Sequence, residues 1–162
     1  MAAATLLIDD EETVLLSIKG LFRQRNLGID VATSWDQGLG LFRVGLHELV
    51  IADYNLKDSK HGLTLLDSAR ALNPSTQLVL ISGWVSEETA QEAKAAGFFD
   101  AFYPKTSELP ATLANLAADA EVRMSTPTRW KRHARARLTQ RRRDPEELAR
   151  IDDILRSQVP EK

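Results

Sequence analysis

The chain of 162 residues contains no cysteine. A disulfide framework, a thiolate metal site and a cysteine nucleophile are therefore excluded, and the composition fits a reducing compartment. No apolar run approaches the roughly 20 residues that a membrane-spanning helix needs. The first residues also lack the basic and apolar stretches of a signal peptide. We therefore expect a cytoplasmic protein without membrane contact, built as one compact domain with a modest appendage.

Acidic residues are missing from residues 122–143, which contain nine Lys and Arg residues. The net charge is −8 over residues 1–121 and +6 over the rest of the chain. Such asymmetry is typical of a tail that binds an anionic partner. The helical pattern also weakens after Ala120, and Ser-Thr-Pro-Thr at 125–128 can end one helix and start another. We therefore expect a main domain at 1–121, a linker at 122–127 and a basic helical extension at 128–162. Asp144 followed by Pro145 is a favourable start for the last helix.

Five short apolar runs, several rich in β-branched residues, have the length and composition of β-strands. They lie at 4–8, 29–33, 49–52, 77–81 and 99–103. Between them, apolar residues recur at the three- and four-residue spacing of helices, and Gly28 and Gly97 are expected to end two of these helices with a positive φ. Five βα units in succession predict an α/β fold with a doubly wound, five-stranded parallel sheet.

Polar side chains follow four of the five predicted strands. They are Asp9 and Asp10 after the first, Asp53 after the third, Ser82 after the fourth and Lys105 after the fifth. Because reactive sites of parallel α/β sheets lie outside the carboxyl ends of the strands, we expect these side chains to converge. Three converging carboxylates repel one another unless a cation neutralises them, and oxygen ligands select a hard ion. The sequence therefore predicts a Mg²⁺ site.

A carboxylate beside such a metal ion can attack a phosphoryl donor and become an aspartyl phosphate. The oxygens of the transferring group are then stabilised by the metal, an ammonium group and a hydroxyl group. Lys105 and Ser82 carry the ammonium and the hydroxyl. These residue types indicate phosphoryl acceptance by one of the clustered carboxylates.

The chain resembles the receiver domains of two-component response regulators over about residues 4–121. The motifs that carry the resemblance are Leu-Ile-Asp9-Asp10-Glu11, Val-Ile-Ala-Asp53, Leu-Ile-Ser82-Gly83 and Phe-Tyr-Pro-Lys105. The resemblance implies a flavodoxin-like (βα)5 fold and a role in phosphorelay signal transduction. It implies an enzyme only in the limited sense of self-phosphorylation and autodephosphorylation.

By this resemblance Asp53 is the phosphoacceptor, and Ser82 and Lys105 contact its phosphoryl group. Phe102 matches the aromatic switch residue of the family, which turns inward when the hydroxyl residue moves toward the phosphate.

The resemblance also implies the ligands of Mg²⁺. Asp10 and Asp53 would bind directly, Asp9 through water, and Asn55 through its backbone carbonyl.

The chain departs from the family pattern near the site. Lys57 replaces a common proline, and the loop before Gly62 has one residue more than usual. Thr106 follows Lys105 in place of proline, so a cis peptide bond there is doubtful, since it would cost about 2.5–4 kcal/mol.

The implied partner is a sensor histidine kinase or a phosphotransfer protein. A homodimer through the fourth helix, fifth strand and fifth helix, or through the C-terminal helices, is a further expectation. For the basic segment we favour contact with the chain's own acidic domain or a second subunit over another protein or nucleic acid. Alternative functions are a DNA-binding transcription regulator and a phosphorylation-independent pseudo-receiver. The three histidines, His47, His61 and His133, have no companions in sequence, and a surface position is expected for His133.

Overall fold

The computed structural model describes residues 3–56, 62–139 and 144–160. Five strands alternate with five helices in these ranges, and two further helices follow. The strands are β1 (Thr5–Ile8), β2 (Asp30–Ala32), β3 (Leu49–Asp53), β4 (Gln77–Ser82) and β5 (Ala101–Pro104). The helices are α1 (Glu12–Gln24), α2 (Trp35–Gly45), α3 (Gly62–Leu72), α4 (Glu87–Ala95), α5 (Leu109–Ser125), α6 (Arg129–Thr139) and α7 (Pro145–Arg156). No helix in the described ranges is long and apolar enough to cross a membrane.

The strands form one parallel sheet in the order β2-β1-β3-β4-β5. This arrangement confirms the predicted fold class. Strand β5 begins two residues later than predicted. The chain before it instead buries Phe98 and Phe99, and Asp100 exchanges two hydrogen bonds with Leu78 at the edge of β4.

Helices cover both faces of the sheet, so the apolar strands are buried on both sides. Helices α1 and α5 pack on one face, where Ile18, Phe22 and Leu113 meet the side chains of β1, β3 and β4. Helices α2, α3 and α4 pack on the other face, and α7 adds Ile151 and Leu155 to the same core. The C-terminal extension is therefore packed onto the domain.

The ends of the helices follow local sequence signals. Ser34, Ser86 and Asp144 cap α2, α4 and α7 by accepting a backbone N–H of the first turn. Gly97 has the predicted positive φ, at 85°. The prediction for Gly28 was wrong, because Asn26 takes the left-handed conformation after α1, with a φ of 56°.

Most of the predicted linker at 122–127 is helical. Helix α5 continues to Ser125, so it includes residues 122–125, and α6 begins at Arg129. Helix α7 begins at Pro145, and its cap, Asp144, accepts a hydrogen bond from Glu146 N at 3.0 Å. The basic residues 141–143 lie outside the described residues.

Candidate functional site

The carboxyl ends of β1 and β3 bring three aspartates together. Asp9 and Asp10 follow β1, and Asp53 is the last residue of β3, the central strand of the sheet. One carboxylate oxygen of each lies within 4.8 Å of the other two. Asp9 and Asp53 are buried, whereas Asp10 is partly exposed.

Lys105 reaches into this cluster from the residue after β5. Its Nζ atom lies 2.9 Å from Asp9 Oδ2, 3.0 Å from Glu11 Oε1 and 3.1 Å from Asp53 Oδ2. The backbone N–H of Lys105 donates to Ser82 O at 3.0 Å, which fixes the position of the side chain against β4. One ammonium group thus faces three carboxylates. Sequence reasoning had assigned no role to Glu11.

Burial and charge together shift the ionisation of the site. Burial raises the pKa of Asp53 to about 7, and the Asp9 carboxylate adds to the rise against the opposing charge of Lys105. Burial also raises the pKa of Asp9, although Lys105 opposes it. For Lys105, burial favours a lower pKa, but the Asp53 and Asp9 carboxylates outweigh it and raise the pKa. The ammonium group therefore stays charged, and the cluster holds excess negative charge.

The cluster fits a divalent cation with oxygen ligands. Asp9 Oδ1 accepts the backbone N–H of Glu11 at 2.9 Å. The other oxygen, Asp9 Oδ2, is buried and has no hydrogen-bond partner of good geometry among the described residues, although Lys105 Nζ lies 2.9 Å away. A buried carboxylate oxygen without a well-aligned hydrogen bond is stabilised by a cation bound next to it. The donor set consists of carboxylates, as hard ions such as Mg²⁺ require.

The remaining predicted site residues line the same edge of the sheet. Ser82 is buried, and its Oγ atom accepts backbone N–H groups from Trp84 and Val85 at 3.0 and 3.1 Å. Asn55 N donates to Asp53 Oδ1 at 3.3 Å. Phe102 is half-buried in β5 and packs against the core beneath α4.

Comparison with protein families identifies the domain. The model of the response regulator receiver domain matches residues 5–115, more than half of the chain. The chain belongs to this family. It is thus a receiver-domain response regulator of two-component signal transduction.

Similar proteins agree with this assignment. The transcriptional regulatory protein ZraR of Salmonella typhimurium is 28% identical over 95 residues, which is 59% of this chain and 21% of ZraR. DltR of Streptococcus agalactiae, another transcriptional regulatory protein, is 27% identical over 77 residues, which is 48% of this chain and 34% of DltR. The chain therefore spans only about a fifth to a third of these curated relatives.

Solved structures show the same fold. A response regulator receiver domain protein from Clostridium thermocellum has a TM-score of 0.65 and 24% identity, covering 76% of this chain and 97% of its own. The chemotaxis response regulator CheY4 of Vibrio cholerae has a TM-score of 0.62 and 19% identity, covering 74% of this chain and 99% of its own.

The receiver departs from the family pattern in the loop after Asp53. Residues 57–61, including Lys57 and His61, lie outside the described residues. Gly62 N donates to Tyr54 O at 3.0 Å, so the chain closes back onto the site. A Cβ atom on Gly62 would lie 2.4 Å from Asp53 O, which explains the need for glycine. The peptide bond between Lys105 and Thr106 is trans, since no cis bond occurs in the described ranges.

A second charge cluster of the receiver surrounds Glu48, which was not singled out in the sequence. The Glu48 side chain is fully buried, and its carboxylate contacts three side chains of α6: Arg129, Arg132 and His133. Burial alone would raise the pKa of Glu48, but the hydrogen bonds from His133 and Arg129 and the charge of Arg132 lower it. The basic segment thus contacts the chain's own acidic domain, as we favoured.

One expectation about histidine was wrong. His133 is not a surface residue, because its side chain is only 13% exposed and faces Glu48 at 3.0 Å. The Nε2 atom of His47 lies 2.7 Å from Asp30 Oδ2. Burial lowers the pKa of His47, although Asp30 opposes the shift. Both imidazoles hold the fold together at the end of the sheet away from Asp53.

Proposed function

We propose that this receiver is a phosphorylation-controlled switch whose phosphoacceptor is Asp53. The phosphoryl group comes from a sensor histidine kinase or a phosphotransfer protein. The observation that carries the proposal is the buried Asp53 carboxylate, 3.1 Å from Lys105 Nζ and grouped with two further aspartates. A kinase or phosphotransfer protein of this kind donates its phosphoryl group in the cytoplasm, where we expect the chain to work.

The transfer forms one bond and breaks another. An Asp53 carboxylate oxygen forms a bond to phosphorus while the bond from phosphorus to the donor atom breaks, and the leaving group takes the electron pair and later a proton from water. Lys105 stabilises the negative charge of the transferring group. Asp10, Asp53 and the backbone carbonyl of Asn55 would hold Mg²⁺ directly and Asp9 through water, and the ion would supply positive charge to the phosphoryl oxygens.

The hydroxyl of Ser82 and the ring of Phe102 carry the response in this proposal. Ser82 ends the strand beside β3 and can donate to a phosphoryl oxygen on Asp53. Phe102 lies next to Leu80 in the sheet, so a shift at the end of β4 reaches its ring. The surface formed by α4, β5 and α5 would then present the change to a partner or a second copy. No foreign substrate is turned over.

DNA binding is not the function that we propose. ZraR and DltR are transcriptional regulatory proteins, but this chain matches only part of each. Arg129, Arg132 and His133 of α6 contact Glu48, so three side chains that could bind a phosphate backbone already have a partner within the chain.

The test is intact-mass spectrometry of the full chain after incubation with acetyl phosphate, with Mg²⁺ or with EDTA. We expect one phosphoryl adduct that requires Mg²⁺ and is removed by hydroxylamine, as an acyl phosphate is. A folded protein that gains no adduct, while the same donor phosphorylates another receiver domain, would instead be a phosphorylation-independent interaction module.

Replacing Lys105 by alanine is expected to separate metal binding from phosphoryl transfer. The variant loses a cation that lies about 3 Å from Asp9 and Asp53, so Mg²⁺ should bind about tenfold more tightly. The rate of adduct formation should fall by about 10²-fold, since a stabilising donor is lost. Calorimetric Mg²⁺ titration and the adduct time course measure the two effects. Lys94→Ala, on the exposed side of α4, is the control. Weaker Mg²⁺ binding in K105A would contradict this account.

A further inference from the structure

Helix α7 and the residues just after it contact the segments that follow Asp53 and Ser82. Its buried residues Ile151 and Leu155 belong to the same core cluster as Tyr54, Leu63 and Val85. Tyr54 directly follows Asp53, and Val85 lies in the connection from β4 to α4. The C-terminal helix therefore rests on segments that belong to the phosphorylation site.

A buried hydrogen bond fastens α7 to the residue after the phosphoacceptor. The Tyr54 hydroxyl lies 2.9 Å from both the backbone O and Oδ1 of Asp152 and donates to this pair of oxygens. Asp152 Oδ2 in turn accepts from Arg156 at 2.7 Å. Burial raises the pKa of Tyr54, and the Asp152 carboxylate adds to the shift. The hydroxyl therefore remains a donor at neutral pH.

A second set of contacts fastens α7 to the loop that follows Ser82. Gln158, just beyond the end of α7, accepts the backbone N–H of Ser86 at 2.8 Å and donates to Thr89 Oγ1. Val85 is buried in the same core cluster as Ile151 and Leu155 of α7. Ser82 Oγ accepts the N–H groups of Trp84 and Val85. A continuous set of contacts thus links the Ser82 hydroxyl to the C-terminal helix.

A phosphoryl group on Asp53 would compete with the loop after β4 for the Ser82 hydroxyl group. Asp53 is paired with Ile81 in the sheet, so Ser82 carries the adjacent hydroxyl at the end of β4. If the Oγ atom moves toward β3 to donate its proton to a phosphoryl oxygen, the backbone N–H groups of Trp84 and Val85 must follow it or lose their acceptor. Either change displaces Val85 and Ser86 from the positions in which α7 holds them.

We propose that α7 is an intramolecular restraint that docks most tightly on the unphosphorylated receiver, so that phosphorylation of Asp53 and docking of α7 oppose each other. The inference rests on the proposed function, because it takes Asp53 as the phosphoacceptor. A helix that binds one of two states better shifts the equilibrium toward that state, and the coupling is reciprocal. Phosphorylation loosens α7, and weaker docking of α7 favours the phosphorylated state.

The first measurement is hydrogen–deuterium exchange of the full chain with Mg²⁺, with and without saturating beryllofluoride as a phosphoryl mimic. Binding is followed separately by fluorine-19 NMR. We expect amides of α7 to exchange at least about fivefold faster in the beryllofluoride complex, whereas amides of α1, which α7 does not cover, keep their rates.

The reciprocal effect is measured in variants of α7. Leu155→Ala and Asp152→Ala weaken the docking of α7 on the receiver. Both variants should bind beryllofluoride about fivefold more tightly than the unmodified chain. Asp153→Ala removes the same charge as Asp152→Ala from the exposed neighbour and should not change that affinity. Far-UV circular dichroism checks that each variant is folded.

The outcomes separate this inference from the proposed function. If the unmodified chain binds no beryllofluoride and forms no phosphoryl adduct, the proposed function fails and the restraint fails with it. If beryllofluoride binds but α7 exchanges at the same rate or more slowly, only the restraint is overturned. Equal beryllofluoride affinities for L155A, D152A and D153A would overturn it as well.

Discussion

Replacement of Asp53 by asparagine is expected to abolish the phosphoryl adduct and, without Mg²⁺, to make the protein more stable. The amide cannot attack phosphorus, so the adduct should disappear completely. The carboxylate is also unfavourable in the fold, because burial raises its pKa to about 7 and Asp9 repels it. Asparagine keeps the shape and removes this charge. At pH 8 in EDTA we expect the free energy of unfolding to rise by about 1–2 kcal/mol.

Intact-mass spectrometry and urea denaturation measure the two effects of D53N. Asp119→Asn, an exposed position on α5, is the matched control and should change neither the adduct nor the stability. An adduct that survives in D53N would place the phosphoacceptor on another residue, with Asp10 the first to test. A less stable D53N would mean that the ion pair with Lys105 outweighs the burial of the carboxylate.

Replacement of Glu48 by glutamine is expected to cause the largest loss of stability among these variants. Glutamine keeps the size of the side chain and removes the charge that pairs with Arg129 and Arg132 beside His133. Removing one partner of a fully buried pair costs about 3–5 kcal/mol. Here Arg129 and Arg132 are 28% and 35% exposed and can turn to water, so we expect about 2–4 kcal/mol.

The loss in E48Q should depend on pH in a defined direction. The pKa of Glu48 is lowered in the folded protein, so its stabilisation is complete above the unfolded pKa of about 4.3. It is lost as the pH falls through the folded value. The difference between the two proteins should therefore be full at pH 7 and shrink below about pH 4.

Urea denaturation at several pH values measures this difference. Glu88→Gln, an exposed residue in the first turn of α4, is the control and should change stability by less than about 0.5 kcal/mol. Hydrogen exchange of α6 shows whether the helix detaches alone. A full-size loss that persists at pH 3 would show that the shape of the side chain matters and its charge does not.

The fold and the site at the strand ends could be predicted because both depend on local patterns. Short apolar runs alternating with helical spacing indicated a parallel sheet, and in such a sheet residues that follow strands share one edge. Asp9, Asp53 and Lys105 could therefore be grouped without knowing the packing of any helix. The start of β5 was less certain, since Phe98 and Phe99 are apolar enough to extend a strand but pack into the core before it begins.

The Glu48 cluster could not be predicted because no local pattern marks it. Its partners Arg129, Arg132 and His133 lie 81, 84 and 85 residues further along the chain. A single glutamate before a strand and arginines on a polar helix are each common on protein surfaces. The contact of Tyr54 with Asp152, 98 residues apart, has the same character. Only the docking of the C-terminal helices reveals either contact.

The position of Glu48 has a consequence for the movement of α7. Glu48 precedes β3 and Asp53 ends it, so the anchor of α6 and the proposed phosphorylation site lie about 16 Å apart, at opposite ends of one strand. A detached α7 would stay tethered through α6, and four residues separate Thr139 from Asp144. Its local concentration near its docking surface would then be on the order of millimolar. Redocking would need no encounter in solution, and a competing partner would have to exceed that concentration or bind much more tightly.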